Sequence, residues 1–296
     1  MTYKVILWGL GRIYNRLFNT LKYFELKKEI EIVALTATSI PTIKYLDGYP
    51  LKTLDELKKI EYDLVIILND VQEKEIFRTA IELYGIPQDK LIFYRVLELP
   101  NFCLDKYLKL KKSRISIISN NCWGGMIYHT LGMECLSPFK NLYLEDADYL
   151  KLLKNLKYYL NCKLEFKEYA IEIHSKETYP VMCLHDITVH CNHSKTHEDA
   201  ISNWERRVKK INWDNIFIEM YTESSFFAHE FSKLDHFQKK ICFVPFEIHD
   251  ESQMQLKTLR EGQEFYQVVN DNAGNSGLTY FPWELLELSR NYRYIC

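Results

Sequence analysis

The sequence predicts an α/β protein, with an N-terminal Rossmann-like parallel sheet domain followed by a second α/β domain. Three observations carry this reading. Apolar runs alternate with helix-spaced stretches through the first hundred residues, the pattern of a parallel sheet covered by helices. A stretch with four lysines, residues 104–113, interrupts that pattern. A second alternation begins at Arg114. The expected division is a Rossmann-like domain over 1–103, a linking helix over 104–113, and a second α/β domain over 114–296 with an irregular C-terminal tail.

In the first domain, residues 4–8 form a short apolar strand. Ile13, Leu17, Leu21 and Phe24 recur at helical spacing, so 13–23 is a helix. Residues 31–36 are a second strand and 55–59 a short helix. Residues 63–68 are apolar almost without break, as a strand buried on both faces must be. A helix over 73–84 ends at Gly85, and 91–94 is a fourth strand.

In the second domain, strands are expected at 115–119, 141–144, 187–190, 216–221 and 241–244. Helices are expected at 123–131, 148–160, 197–211 and 225–234. Thr196 and Asp199 provide a helix-start signal. Residues 163–183 read as β-rich or irregular, 270–277 as a loop, and 283–288 as a last short helix.

The balance of 47% apolar and 26% charged residues is that of a globular protein. A net charge of −2 offers no basic field, so no nucleic-acid partner is expected. No run of about 18 apolar residues exists to span a membrane. The N-terminus is broken too early by glycine for a signal peptide. A cytoplasmic location is therefore expected, with eight scattered cysteines kept as thiols. A homo-oligomer is left open.

Gly9, Gly11 and Arg12 follow the first strand and open a helix, where backbone N–H groups can hold a phosphate or nucleotide. Tyr14 stands where the dinucleotide fingerprint has its third glycine, and 36–38 carries no acid for a ribose. NAD and NADP are not expected; the cofactor is unknown.

The stretches WGLGRIYNRL (8–17), LDGYPLKTLDEL (46–57), YDLVIIL (62–68) and YGIPQDKLI (84–92) are similar to small Rossmann-like domains that precede sugar acyltransferase and glycan-modifying domains in bacteria. Farther on come SNNCWGG (119–125), LLKNLKYYL (152–160), YPVMCLHDITVHCNHS (179–194) and AISNWERRVKKINWDNIFIEM (200–220). Together these resemble an uncharacterised bacterial domain family of capsule and exopolysaccharide gene sets. The likeness covers about 114–246 and implies a link to surface glycan synthesis, with a nucleotide-sugar or glycan as substrate. It implies no catalytic residues. Ser194 departs from the aromatic that the family usually shows there.

Ser119, Asn120 and Asn121 lie at the carboxyl end of an expected strand, the edge where ligands bind in open α/β sheets. Cys122 then falls at a helix N-terminus, which lowers a thiol pKa. Gly124 and Gly125 would let a substrate approach, and Asn121 could donate to an oxyanion. Alternatively, Asn121 caps the helix and Cys122 packs as a small apolar residue.

His193 and Asp186 are the candidate base and orienter for Cys122. Strand alternation puts Asp186 and His190 on one face, and His190 is a candidate substrate contact. His190, His193 and His197 lack a standard zinc spacing, so no metal is expected. Arg207 is a candidate contact for a diphosphate or acidic glycan. The reading is an acyl-type, glycan-modifying transferase with Cys122 as nucleophile, alkylated faster than the other thiols. The alternative is a non-catalytic nucleotide-sugar or glycan module.

Calorimetric titration with NAD and NADP is expected to give no micromolar binding. Such binding by either would contradict the reading of Tyr14 and of residues 36–38.

Overall fold

The computed structural model describes residues 1–40, 42–99, 102–173, 175–248, 250–256 and 265. It is a mixed α/β structure. The chain divides into two compact units, Met1–Asp105 and Lys106–Cys296. The expected loop over 270–277 and helix over 283–288 lie outside the described residues.

The first unit holds β1 (Tyr3–Trp8), α1 (Arg12–Leu26), β2 (Ile30–Thr36), a small β3–β4 hairpin (Tyr45–Leu46, Tyr49–Pro50), β5 (Leu64–Ile67), α2 (Glu73–Glu82) and β6 (Leu91–Phe93). Its sheet runs β2-β1-β5-β6 with every pair parallel. The expected helix over 55–59 is a 3-10 turn, Glu56–Lys59.

β1 and β5 exit side by side, and this closeness explains Gly9. Its φ is +128°, and a Cβ there would stand 2.5 Å from the Leu68 carbonyl oxygen. Arg12 is ion-paired with Asp70 beyond β5. The carboxylate therefore stands at the turn where a phosphate was expected, and it opposes one. Tyr14 is buried and donates to Asp47 Oδ2 at 2.8 Å.

α3 (Leu104–Ser113) contains the division between the units. The second unit continues with β7 (Ser116–Ser119), α4 (Trp123–Thr130), α5 (Asp146–Lys154), α6 (Leu156–Asn161), β8 (Leu164–Ile171), β9 (Thr178–Leu184) and β10 (Ile187–His190). α7 (His197–Val208), β11 (Ile216–Tyr221), α8 (Ser225–Ser232), β12 (Lys239–Val244) and β13 (Gln253–Gln255) follow. A parallel sheet runs β13-β12-β11-β7, and β10-β9-β8 form a separate antiparallel sheet.

Two local expectations need correction. The strand expected at 141–144 is a single bridge, Tyr143 to His190. The helix expected at 148–160 breaks at Asn155, whose φ of −140° is not helical. The expected β-rich stretch is the antiparallel pair β8 and β9.

One face of β11 joins the larger core. Ile218 and Met220 pack with Tyr149 and Leu152 of α5, Phe231 of α8, and Met182 and Val189 of the antiparallel sheet. On the other face, the Trp123 ring lies 6.0 Å from Phe217 and 5.9 Å from Phe243.

β7 ends the sheet, yet its residues are all buried. An open edge with buried polar groups is costly. Tyr128 of α4 closes it: its hydroxyl accepts from Ile117 N and donates to Ile115 O, both at 2.8 Å. Tyr128→Phe strands both groups, and a loss of about 1–3 kcal/mol is expected on denaturant unfolding. A loss below roughly 0.5 kcal/mol, the range of ordinary surface changes, would contradict this role.

Candidate active site

β7 leads straight into the turn Asn120–Cys122 and then α4. Each polar side chain of this turn has defined work. Ser119 Oγ is buried and donates to Asn121 O at 3.0 Å. Asn120, 2% exposed, bridges β7 to the end of β11. Its Oδ1 accepts from Tyr221 N at 3.1 Å, and its Nδ2 donates to Tyr221 O at 3.0 Å. Its amide thus continues the ladder where the strands part. These bonds commit Ser119 and Asn120 to the turn, not to a substrate.

Asn121 caps α4, its Oδ1 accepting from Trp123 N at 2.8 Å. Its Nδ2 donates to Asn120 Oδ1 at 2.9 Å and to Glu219 Oε1 at 3.1 Å. Both amide hydrogens are used, so Asn121 is not the oxyanion donor expected from sequence. Trp123 N–H is thereby taken and Met126 N–H donates to Cys122 O, so what α4 presents to a developing negative charge is the positive end of its dipole.

Gly124 and Gly125 are packing glycines. A Cβ on Gly124 would meet Ser119 Oγ at 2.8 Å and Ile117 Cγ2 at 2.9 Å. One on Gly125 would meet Asn141 Oδ1 at 2.5 Å. Both are buried, so neither is open to a substrate.

Cys122 and His193 are 71 residues apart in sequence, and Sγ stands 3.3 Å from Nε2. Cys122 is partly exposed. Its thiol is pushed up to about 11, first by burial and then by the Glu219 charge. The sequence-based expectation of a lowered pKa fails on magnitude. Raising a thiol from 9.0 to about 11 costs about 3 kcal/mol, whereas a helix N-terminus returns about 0.3–1 kcal/mol. His193 is an exposed residue, but desolvation of its ring lowers the imidazole pKa. The pair therefore rests as neutral thiol and neutral imidazole.

Asp186 is elsewhere, in the β9–β10 turn. It accepts from Tyr159 at 2.9 Å, sits 3.1 Å from His185 Nδ1, and is ion-paired with Lys151. These partners hold its carboxyl below the usual range. It pins the hairpin and does not orient His193. His190 meets Tyr179 at 3.3 Å, and His197 meets Tyr169 at 3.1 Å. Among the described residues, no three His, Cys, Asp or Glu side chains are placed to hold a metal. Arg207 donates to the Lys140 carbonyl at 3.2 Å, so its fork serves the backbone.

Sequence reasoning missed Glu219. It sits in β11, fully buried, between Ser119 of β7 and Ile241 of β12. Asn121 holds Oε1, while Oε2 is buried without a partner. Burial pushes its carboxyl up to about 8. The available signal was one acid inside the apolar run 216–221. A cavity of about 500 Å³ lies at the opposite edge of this sheet, where β11 and β12 begin, and it does not include Cys122.

A family model described as C2185-like, N-terminal matches residues 1–92. A Haemophilus influenzae protein described as uncharacterized is 32% identical over 138 residues. That match covers 46% of this chain and 64% of the relative.

Glu219→Gln is expected to change how stability depends on pH. The folded pKa is raised above the ordinary carboxyl value of 4.5, so the group's contribution is fully present below 4.5 and is lost as pH rises to about 8. Denaturant unfolding should show the variant gaining on the wild type across that window and then levelling. A constant difference from pH 4.5 to 8 would contradict the burial argument.

The model described as a domain of unknown function (DUF1919) matches residues 93–281, well over half of the chain, and the protein belongs to that family.

Proposed function

We propose that the protein is a thiol-dependent acyltransferase that modifies glycans in bacterial surface-polysaccharide synthesis, working in the cytoplasm. The observation that carries the chemical half is the 3.3 Å approach of Cys122 Sγ to His193 Nε2 at the N-terminus of α4. The glycan half rests on the four sequence motifs and their resemblance. Among the described residues, no helix is long and apolar enough to cross a membrane.

His193 removes the thiol proton as Sγ attacks the acyl carbonyl carbon of a donor ester or thioester. The carbonyl oxygen takes the electron pair and faces the positive end of the α4 dipole. As the carbonyl re-forms, the donor's alcohol or thiol departs with the proton from His193. An acceptor hydroxyl then gives its proton to His193 and takes the acyl group from sulfur, and His193 passes that proton to the released thiolate. A lowered imidazole pKa keeps His193 in its base form at neutral pH. No third residue is needed in this scheme.

A binding module without catalysis is favoured by one observation, the raised Cys122 pKa. It also reverses the alkylation expectation: resting Cys122 should not be alkylated faster than the other thiols.

p-Nitrophenyl acetate separates the readings. Acyl transfer should release a burst of p-nitrophenolate and leave acetyl on Cys122, located by peptide mass spectrometry. His193→Ala should slow the burst by about 100-fold or more, and Asp186→Asn should leave it unchanged. Acetyl spread over other cysteines, or a burst indifferent to His193→Ala, would favour the binding module.

A further inference from the structure

The cavity of about 500 Å³ lies at the amino-terminal edge of the second sheet, where Ile216 opens β11 and Lys239 opens β12. Its volume is within the usual range for small-molecule sites, about 300–1,000 Å³. The mechanism above uses none of its residues.

Three lysines line it, Lys154, Lys157 and Lys239, against one acid, Asp214. Lys239 Nζ donates to Asn215 Oδ1 at 2.8 Å. Lys154 is 3.8 Å from Glu230. Among the described residues Lys157 has no carboxylate partner; its ammonium stands 5.3 Å from the centre of the Trp213 ring. A cation over an aromatic face keeps its full charge for an arriving anion.

The aromatic wall is the second observation. Trp213 is 41% exposed and Tyr158 51%, whereas Trp8, Trp123 and Trp204 are buried. An exposed indole beside ammonium groups in a cavity suits a ligand with a flat ring at one end and negative oxygens at the other.

We propose that this cavity binds a nucleoside phosphate, with the base against Trp213 and Tyr158 and the phosphates on Lys157 and Lys239. The ligand is not the acyl donor of Cys122, which lies at the other edge of the sheet.

The test is titration with adenosine diphosphate, followed by tryptophan emission and calorimetry. Binding should quench emission, and Trp213→Phe should remove the quench. Lys157 is exposed, so Lys157→Gln should fold normally, and it should weaken binding about tenfold. The Lys157→Gln/Lys239→Gln pair should weaken it further. Adenosine and inorganic pyrophosphate should each bind at least about tenfold less well than the diphosphate, a difference of about 1.4 kcal/mol. Arg12→Ala controls for the turn after β1 and should change nothing. No binding to the folded wild-type protein would overturn the proposal. So would binding that survives the double substitution or is lost in Arg12→Ala. Pyrophosphate or glucuronate binding as well as the diphosphate would overturn the assignment of the ring.

Discussion

A carboxyl group in the middle of a buried parallel strand constrains the second unit more than any other feature. Glu219 has strands on both sides and no exposure. An ionised carboxylate there would be expensive, so the side chain keeps its proton toward neutral pH. One hydrogen bond, from Asn121, ties it to the turn that carries Cys122. The same Asn121 caps α4 and holds Asn120, and Asn120 in turn bridges β7 to β11. The thiol's position follows from this network, and its reluctance to ionise comes first from burial and then from the Glu219 charge.

The residues around Cys122 divide into those that build the turn and those left for chemistry. Two glycines, two asparagines and a serine first look like a ligand loop, yet they hold a short helix tightly against a strand. Gly124 allows α4 to touch Ile117 and Ser119, and Tyr128 of that helix seals the outer side of β7. What remains for chemistry is small: a thiol, an imidazole from the loop after β10, and the positive end of one short helix. Such a set can transfer an acyl group through proton exchange alone.

The fold class was legible because strand and helix periodicity is local. Where a structural choice depended on distant partners, the pattern misled. The segment 141–144 has strand composition but pairs only through Tyr143 and His190. The apolar spacing across 148–160 hides a break at Asn155. Cys122 and His193 attracted attention because each follows a strand exit, but their approach is a tertiary fact. Asp186 looked suitable by alternation, while Tyr159 of α6, Lys151 of α5 and the neighbouring His185 claim it. For Glu219 the local sign is one acid inside the apolar run 216–221, while its burial comes from pairing with β7 and β12.

The link between Glu219 and Cys122 is tested most directly by the pH dependence of Cys122 alkylation, resolved by peptide, in the wild type and in Glu219→Gln. The wild-type rate should keep rising toward a midpoint near 11, and the variant's midpoint should fall. A wild-type midpoint at or below the free-thiol value of about 8.5, or superimposable curves for the two proteins, would contradict the account.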